Sequence, residues 1–226
     1  CALPISARVP SAEGRTIFVR FSGPERARPV VLLHGINQWG GIWQRQLEGR
    51  LATRFRLVAP DLRGHGDSDP AADASGYQGE RPWADDLHAV IGGLGLERPV
   101  LVGWSFGGRI PLMYRCLHGE ANLSGIVLVD TVVHFKEAER SAISGQCTEH
   151  LWQASTQADY EKAVREFCRL MSHRELPASL FEDIVAANLR VPREVFRALR
   201  SNPPYDYTPD LEALGLPALE IGRAHV

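Results

Sequence analysis

Four continuous runs of apolar residues, separated by helical patterns, constrain the fold of this sequence most strongly. Such runs are typical of parallel strands that lie inside a sheet and are buried on both faces. Between them, apolar side chains recur at spacings of three and four, as at Trp83, Leu87 and Val90, which predicts amphipathic helices. The alternation predicts a doubly wound, mostly parallel α/β sheet with right-handed crossovers. The four runs are Pro29–Leu33, 55–60, 99–102 and Gly125–Val129.

The hydrophobic pattern changes on either side of this core. Residues 15–21 alternate apolar and polar side chains, which is typical of a half-buried strand. Beyond residue 134, helical spacing continues without a buried-strand run, as at Tyr160 and Val164, and indicates an inserted helical cap. We therefore expect three parts: an α/β core at 1–134, a helical cap at 135–208 and the start of a C-terminal core segment at 209–219.

Composition and charge narrow the class of partner. The 226 residues carry a formal net charge of -2, and the basic residues are scattered, so the sequence shows no electrostatic footprint for nucleic acid. No apolar run approaches the roughly 20 residues that span a bilayer, so we expect no membrane partner. The four cysteines form no C-x-x-C pair, which favours a reducing, cytoplasmic compartment. A small-molecule substrate is the expected partner, and the oligomeric state stays open.

The segment Gly103–Gly108, Gly-Trp-Ser-Phe-Gly-Gly, carries the clearest chemical signal. It places a G-x-S-x-G pattern between a buried strand and an apolar helix, which is the context of a nucleophile elbow. A turn this tight strains the backbone at Ser105, and glycine at 103 and 107 lets the strand and the helix approach each other. The alternative is a glycine-rich turn whose serine only caps the helix. No histidine pair has metal-ligand spacing, so we expect neither a metal nor another cofactor.

Three motifs in order make the chain resemble the α/β-hydrolase superfamily, in its serine-nucleophile branch of esterase-like members and non-haem haloperoxidases. They are VVLLHG at 30–35, PDLRGHGDS at 60–68 and VGWSFGG at 102–108. The resemblance implies Ser105 as the nucleophile, on an elbow framed by Gly103 and Gly107. It also implies an oxyanion hole made by the backbone N–H groups of Ile36 and Phe106.

The resemblance assigns the other polar residues of these motifs mainly structural roles. His34 would brace the oxyanion loop, and Arg63 and His65 would hold the RGHG turn. Asp130 ends the strand before the cap, a position that supplies the catalytic acid in a minority of the resembling enzymes. We therefore retain Asp130 as a candidate acid. In the resembling enzymes the cap lines the substrate pocket, which makes Phe135, Trp152 and Phe167 pocket candidates.

The resemblance is incomplete near the end of the chain. Resembling proteins carry an aspartate after the penultimate strand and a histidine some thirty residues later, and neither can be identified here. We expect a chain truncated before the catalytic histidine, with the last core strand and helix missing. Residues 221–226 match a translated sequencing adapter, so we set residues 220–226 aside, His225 included. A carboxylate at Glu220 would also be costly in a strand buried on both faces.

These observations predict a hydrolase that acts on an ester-type bond of a small molecule through an acyl-serine intermediate. Serine at position 105 argues against epoxide hydrolases and haloalkane dehalogenases, which use aspartate there. A C–C hydrolase and a cofactor-free haloperoxidase or perhydrolase remain open within the fold. A non-catalytic small-molecule receptor is the alternative of another class. Without an identifiable histidine base, the 226-residue chain itself is expected to be inactive.

Overall fold

A computed structural model describes residues 4–135, 150–151, 153–200, 202 and 205–222. Within these residues, seven strands form one sheet in the order β1-β2-β4-β3-β5-β6-β9. Strands β2 and β1 pair antiparallel, as do β2 and β4, and all other neighbours in the sheet are parallel. The predicted mostly parallel α/β sheet is therefore confirmed. The strands are β1 (Ile5–Pro10), β2 (Thr16–Ser22), β3 (Pro29–Leu33), β4 (Arg56–Pro60), β5 (Val100–Trp104), β6 (Gly125–Val129) and β9 (Ala218–Ile221).

Helices lie on both faces of the sheet, because alternate side chains of each buried strand point to opposite faces. Val31 and Leu33 of β3 belong to the main core with the helices of one face, while Leu32 packs against residues of the other face. The helices between the strands are α1 (Gln44–Leu47), α2 (Arg81–Gly93) and α3 (Phe106–His118), and further along the chain lie α4 (Gln157–Leu170), α5 (Ala178–Arg190), α6 (Arg193–Arg200) and α7 (Thr208–Glu212).

Helices α4, α5 and α6, which we call the insertion helices, lie between two short strands in the sequence. These strands, β7 (His134–Phe135) and β8 (Tyr205–Asp206), pair with each other antiparallel, and we call the pair the neck. Trp39 and Ile42, from the loop after β3, pack against the apolar cluster of α4 and α5. Arg190 of α5 donates to the carbonyl oxygen of Gly66, in the loop after β4, at 2.8 Å. The insertion helices therefore contact the loops at the carboxyl ends of β3 and β4.

The C-terminal strand includes two residues that the sequence analysis set aside. Residues from Glu220 onward were set aside, yet β9 continues through Glu220 to Ile221 and pairs with β6, with Glu220 opposite Leu128. All four residues of β9 are exposed, because the strand lies at the edge of the described sheet. The carboxylate of Glu220 therefore stays hydrated and avoids the cost of burial between two layers.

None of the helices in the described segments is both long enough and apolar enough to cross a membrane.

Candidate active site

Ser105 lies on a sharp turn between β5 and α3. Its backbone has φ 53° and ψ -120°, which lies in a region that costs a non-glycine residue of order 1–3 kcal/mol. The Ser105 N–H donates to the carbonyl oxygen of Val129 at 2.9 Å, which ties the turn to the end of β6. The serine side chain forms no capping hydrogen bond with the helix. This geometry disfavours the alternative of a helix-capping serine.

Glycines make this turn possible by allowing backbone segments to touch. A Cβ atom at Gly103 would overlap the carbonyl oxygen of Gly107, and a Cβ atom at Gly107 would overlap the carbonyl oxygens of Leu33 and His34. The first turn of α3 thus lies directly against the end of β3. Both positions were predicted from the motif, and the obstructing atoms belong to the backbone and cannot rotate away.

Two backbone N–H groups border the Ser105 turn. A Cβ atom built on Gly35 would lie 3.4 Å from the Cβ of Ser105, which places the next residue, Ile36, beside the serine. Phe106 is the first residue of α3, where N–H groups lack intrahelical acceptors. Neither the Ile36 nor the Phe106 N–H donates to any residue that the structure describes. The two N–H groups predicted for an oxyanion hole therefore lie free on the two segments that meet at Ser105.

Two buried histidines join the loops around this site. The His34 ring contacts the carbonyl oxygen of Gly35 through Nδ1 at 2.8 Å and accepts from the Leu62 N–H through Nε2 at 2.9 Å. The His65 ring contacts the carbonyl oxygen of Arg63 through Nδ1 at 2.9 Å and accepts from the Asn37 N–H through Nε2 at 3.2 Å. All four ring nitrogens are committed to backbone groups, so neither imidazole can take a proton from Ser105 while these bonds persist.

Burial also keeps the two imidazoles neutral. Desolvation lowers the pKa of His34 to about 4, although its contact with the Gly35 carbonyl opposes the shift. Desolvation, followed by the neighbouring His34, lowers the pKa of His65 to about 3. In the neutral state each Nε2 keeps the lone pair that accepts a backbone N–H. The electrostatic and hydrogen-bonding evidence thus agrees on a bracing role.

The remaining polar residues of the second motif also brace loops. Arg63 is buried and donates to the Asp86 carboxylate at 2.7 Å, and further to two backbone carbonyl oxygens. Asp61 is buried and accepts from the Gly40 N–H at 2.6 Å and from Arg20 at 2.6 Å. The sequence analysis assigned a structural role to Arg63 but none to Asp61. Its position in the Pro-Asp-Leu-Arg segment of the second motif could have indicated such a role.

Asp130, the candidate acid, lies at the end of β6 with φ 47°, and its side chain is exposed. Its N–H donates to the carbonyl oxygen of Ile221 at 2.8 Å. Within the described residues, its carboxylate forms no hydrogen bond with a histidine. The structure therefore brings Asp130 to the same end of the sheet as Ser105 without completing a serine–histidine–acid triad.

The predicted pocket residues have mixed outcomes. Phe167 packs against the apolar cluster of α4 and α5, which makes it part of the packing between the insertion helices. The Phe135 side chain, Trp152 and His225 lie outside the described residues.

The sequence analysis did not single out three residues near the site. Asn37 and Gln38 follow Ile36 and are almost fully buried, and within the described residues both polar atoms of the Asn37 side chain lack a partner. Arg109, one turn along α3 from Ser105, lies between the rings of Phe106 and Tyr205. Its contact with Tyr205 joins α3 to a residue that follows the insertion helices in the sequence, and neither periodicity nor motifs predict such a contact.

Comparisons with known proteins place the chain in a family. A sequence model described as alpha/beta hydrolase fold matches residues 28–166. The non-heme chloroperoxidase CPO-A1 of Kitasatospora aureofaciens is 37% identical over 120 residues, which is 53% of this chain and 42% of that protein. The AB hydrolase superfamily protein YisY of Bacillus subtilis is 33% identical over 121 residues, 54% of this chain and 43% of that protein. The chain thus spans less than half the length of these curated relatives.

Solved structures extend the similarity over nearly the whole chain. The esterase RhEst1 from Rhodococcus sp. ECU1013 has a TM-score of 0.84 at 28% sequence identity, with coverage of 95% of this chain and 79% of the esterase.

Proposed function

The chain belongs to the alpha/beta hydrolase fold family, and from that premise we propose that it is a serine hydrolase that cleaves ester bonds of small molecules. The observation that carries the proposal is the meeting of three groups: the strained Ser105, whose side chain does not cap α3, and the N–H groups of Ile36 and Phe106, which have no acceptor among the described residues. Fold alone does not specify chemistry, so the proposal depends on this local arrangement. The similarity to esterase RhEst1 supports the ester as the substrate class.

The proposed reaction has two halves. The Ser105 Oγ attacks the ester carbonyl carbon, its proton passes to a histidine base, and the bond to the leaving alcohol breaks as that alcohol takes the proton. Water then attacks the acyl-serine, gives one proton through the same base to Ser105, and releases the carboxylic acid. In both tetrahedral intermediates the negative oxygen accepts from the Ile36 and Phe106 N–H groups. Losing one such donor typically costs about 3–4 kcal/mol of transition-state stabilisation.

The proposed reaction needs a histidine base for Ser105, and among the described residues no histidine forms a hydrogen bond with the Ser105 side chain. His34 and His65 are excluded because their ring nitrogens bind backbone groups. His134, in the neck, keeps a buried Nε2 without a partner among the described residues. We propose that the working base comes either from a segment of the complete gene product outside these 226 residues or from His134.

The test compares four proteins: the 226-residue chain, the product of the complete source gene, and the Ser105→Ala variant of each. Hydrolysis of p-nitrophenyl acetate is followed by release of p-nitrophenol. We expect the complete gene product to turn over and its Ser105→Ala variant to lose at least about a thousandfold in kcat. If the complete gene product does not turn over this ester or longer acyl esters, the receptor alternative gains support and the proposal fails.

The 226-residue chain gives a separate answer about the base. We expect it to show little turnover. Full-rate turnover would mean that one of its own histidines completes the site, and His134→Gln would then abolish the activity if His134 is that residue. Turnover unaffected by His134→Gln would exclude His134.

A second candidate function is acyl transfer to hydrogen peroxide, which would form a peracid. The observation that favours it is the 37% identity to a non-heme chloroperoxidase. The same acyl-serine would be attacked by peroxide in place of water. Adding hydrogen peroxide to the ester assay and measuring peracid formation separates the two outcomes, because a simple hydrolase would continue to release only carboxylic acid.

A further inference from the structure

Arg109 occupies an unusual position one turn along α3 from Ser105. Its guanidinium carbon lies 4.6 Å from the centre of the Phe106 ring and 4.5 Å from the centre of the Tyr205 ring. Both distances are within the range of cation–π attraction. Arg109 therefore bridges the first residue of α3 and the second strand of the neck.

The electrostatics of Arg109 make this position noteworthy. A cation in the first turn of a helix opposes the helix dipole. Arg109 forms no ion pair with a carboxylate among the described residues. By contrast, Arg115, two turns further along the same helix, pairs with Glu120 and Asp210. The two aromatic rings are thus the stabilising contacts that the structure gives the Arg109 charge.

The ring on the neck side is anchored to its surroundings. The Tyr205 hydroxyl donates to the carbonyl oxygen of Val132 at 3.3 Å, and the Tyr207 N–H donates to the carbonyl oxygen of Val133 at 2.8 Å. The Tyr207 hydroxyl donates to the Glu80 carboxylate at 2.7 Å, and its ring lies 5.4 Å from the Tyr205 ring. The neck is therefore fixed to the segment after β6 and to the residue that precedes α2.

The ring on the helix side is also fixed. The Phe106 ring meets the buried Trp83 edge-on, with 4.9 Å between ring centres. Because Arg109 also contacts the Phe106 ring, two contacts hold the residue whose backbone N–H borders Ser105. A displacement of this residue would move that N–H group away from the oxygen it must meet.

From these contacts we propose that Arg109 is a positioning residue that clamps the neck onto Phe106 and so holds an oxyanion-hole donor and the insertion helices in register with Ser105. This inference rests on the proposed hydrolase function. A misplacement of about 1 Å near reacting atoms can cost on the order of a hundredfold in rate. Because Arg109 acts through Phe106, its loss should lower kcat more than it raises KM.

The kinetic test uses the complete gene product with p-nitrophenyl acetate. Arg109→Met keeps the length and packing of the side chain but removes the charge, and we expect kcat to fall about ten- to a hundredfold while KM changes less than about threefold. Arg109→Lys should recover part of the loss, because an ammonium can still contact one ring. Tyr205→Leu should lower kcat similarly, and the double variant should be no worse than the poorer single variant.

Arg169→Met is the matched control. The guanidinium carbon of Arg169 in α4 lies 5.5 Å from the centre of the Phe181 ring in α5. This is the same kind of contact, but it joins two insertion helices and involves no residue of the Ser105 turn. We expect its kcat to stay within about twofold of the parent. The proposal is overturned if Arg109→Met keeps full kcat, if the Arg109 and Tyr205 effects multiply, or if Arg169→Met is equally impaired.

Hydrogen–deuterium exchange makes the inference testable even if the parent shows no Ser105-dependent turnover. In that case the proposed function fails, but the clamp still predicts a result. Arg109→Met should speed exchange both in peptides that cover 105–108 and in peptides that cover 205–207, while Arg169→Met should change neither. Unchanged exchange at 105–108 in Arg109→Met would overturn the proposal independently of activity.

Discussion

His34 and His65 show how single side chains can shape the loops of this site through backbone contacts. Each imidazole joins backbone groups of the loop after β3 to the loop after β4. Because a neutral ring offers one donor and one acceptor, protonation would destroy the acceptor on Nε2. The shape of the loop that carries Ile36 therefore depends on two rings that stay uncharged.

This dependence predicts a loss of stability in mild acid. The folded-state pKa values of about 4 for His34 and about 3 for His65 lie below the unfolded value near 6.5, so the unfolded chain binds more protons between these limits. The part of the free energy of unfolding that comes from keeping these two rings neutral is fully present above about pH 6.5 and is lost as the pH falls. We expect the free energy of unfolding to be about 2 kcal/mol lower at pH 5.5 than at pH 7.

Urea denaturation at a series of pH values measures this loss. The window from pH 7 to 5.5 lies above the range in which carboxylates with lowered pKa, such as Asp67 and Asp69, begin to titrate. Burial raises the pKa of Asp61, so any proton that the folded chain binds there would reduce the loss. A flat stability profile over this window would contradict the bracing role of the buried pair.

At the residue scale, the sequence predicted the groups that a local motif defines. The strand–turn–helix context and the glycine spacing predicted the sharp turn at Ser105 and the close backbone approach at Gly103 and Gly107 that the structure shows. Arg109 could not be predicted, because the contact that gives it a role is with Tyr205, on the far side of the insertion. Pairings between distant segments depend on the tertiary fold, which a single sequence does not display.

At the scale of elements, the buried strands were the most predictable. Runs at Pro29–Leu33 and Gly125–Val129 coincide with β3 and β6, because burial on both faces requires continuous apolarity. Strand β1 was missed, since most of its residues are exposed and its sequence carries little pattern. Trp43, Leu47 and Leu51 have the spacing of a longer helix, but only α1 is α-helical there, and short 3₁₀ turns flank it.

The close approach of β3 and α3 leads to a test at this scale. Gly107→Ala would drive a Cβ atom into two backbone carbonyl oxygens, and because neither can rotate away, the elements must separate. We expect the free energy of unfolding to fall by about 2–3 kcal/mol. Gly92→Ala in α2 is the matched control, since its Cβ would meet open space. That change should stabilise the protein by about 0.5–1 kcal/mol.

Chemical denaturation of the two glycine variants measures both effects. Equal stability of Gly107→Ala and the parent would show that the elbow is looser than the structure indicates, and the positioning of Ile36 and Phe106 would then need another explanation.

At the scale of the whole molecule, the carboxyl ends of the parallel strands assemble the site. In sheets of this kind, ligands bind beyond those ends. The turn after β5 supplies Ser105 and Phe106, and the loop after β3 supplies Ile36. The insertion helices contact the loops after β3 and β4, so segments distant in sequence surround the same end of the sheet. This arrangement brings the Ser105 turn, the loop that carries Ile36 and the insertion helices to one end of the sheet, although they lie in three separate parts of the chain.

The most direct test of the account is whether Ser105 becomes acylated. The complete gene product is mixed with p-nitrophenyl acetate, quenched in acid within the first turnovers, and examined by intact mass and peptide mapping. The account predicts one acetyl group per chain, carried by the peptide that contains Ser105 and absent from the Ser105→Ala variant. An acetyl group at another residue, or equal labelling of the Ser105→Ala variant, would contradict the assignment of Ser105 as the nucleophile.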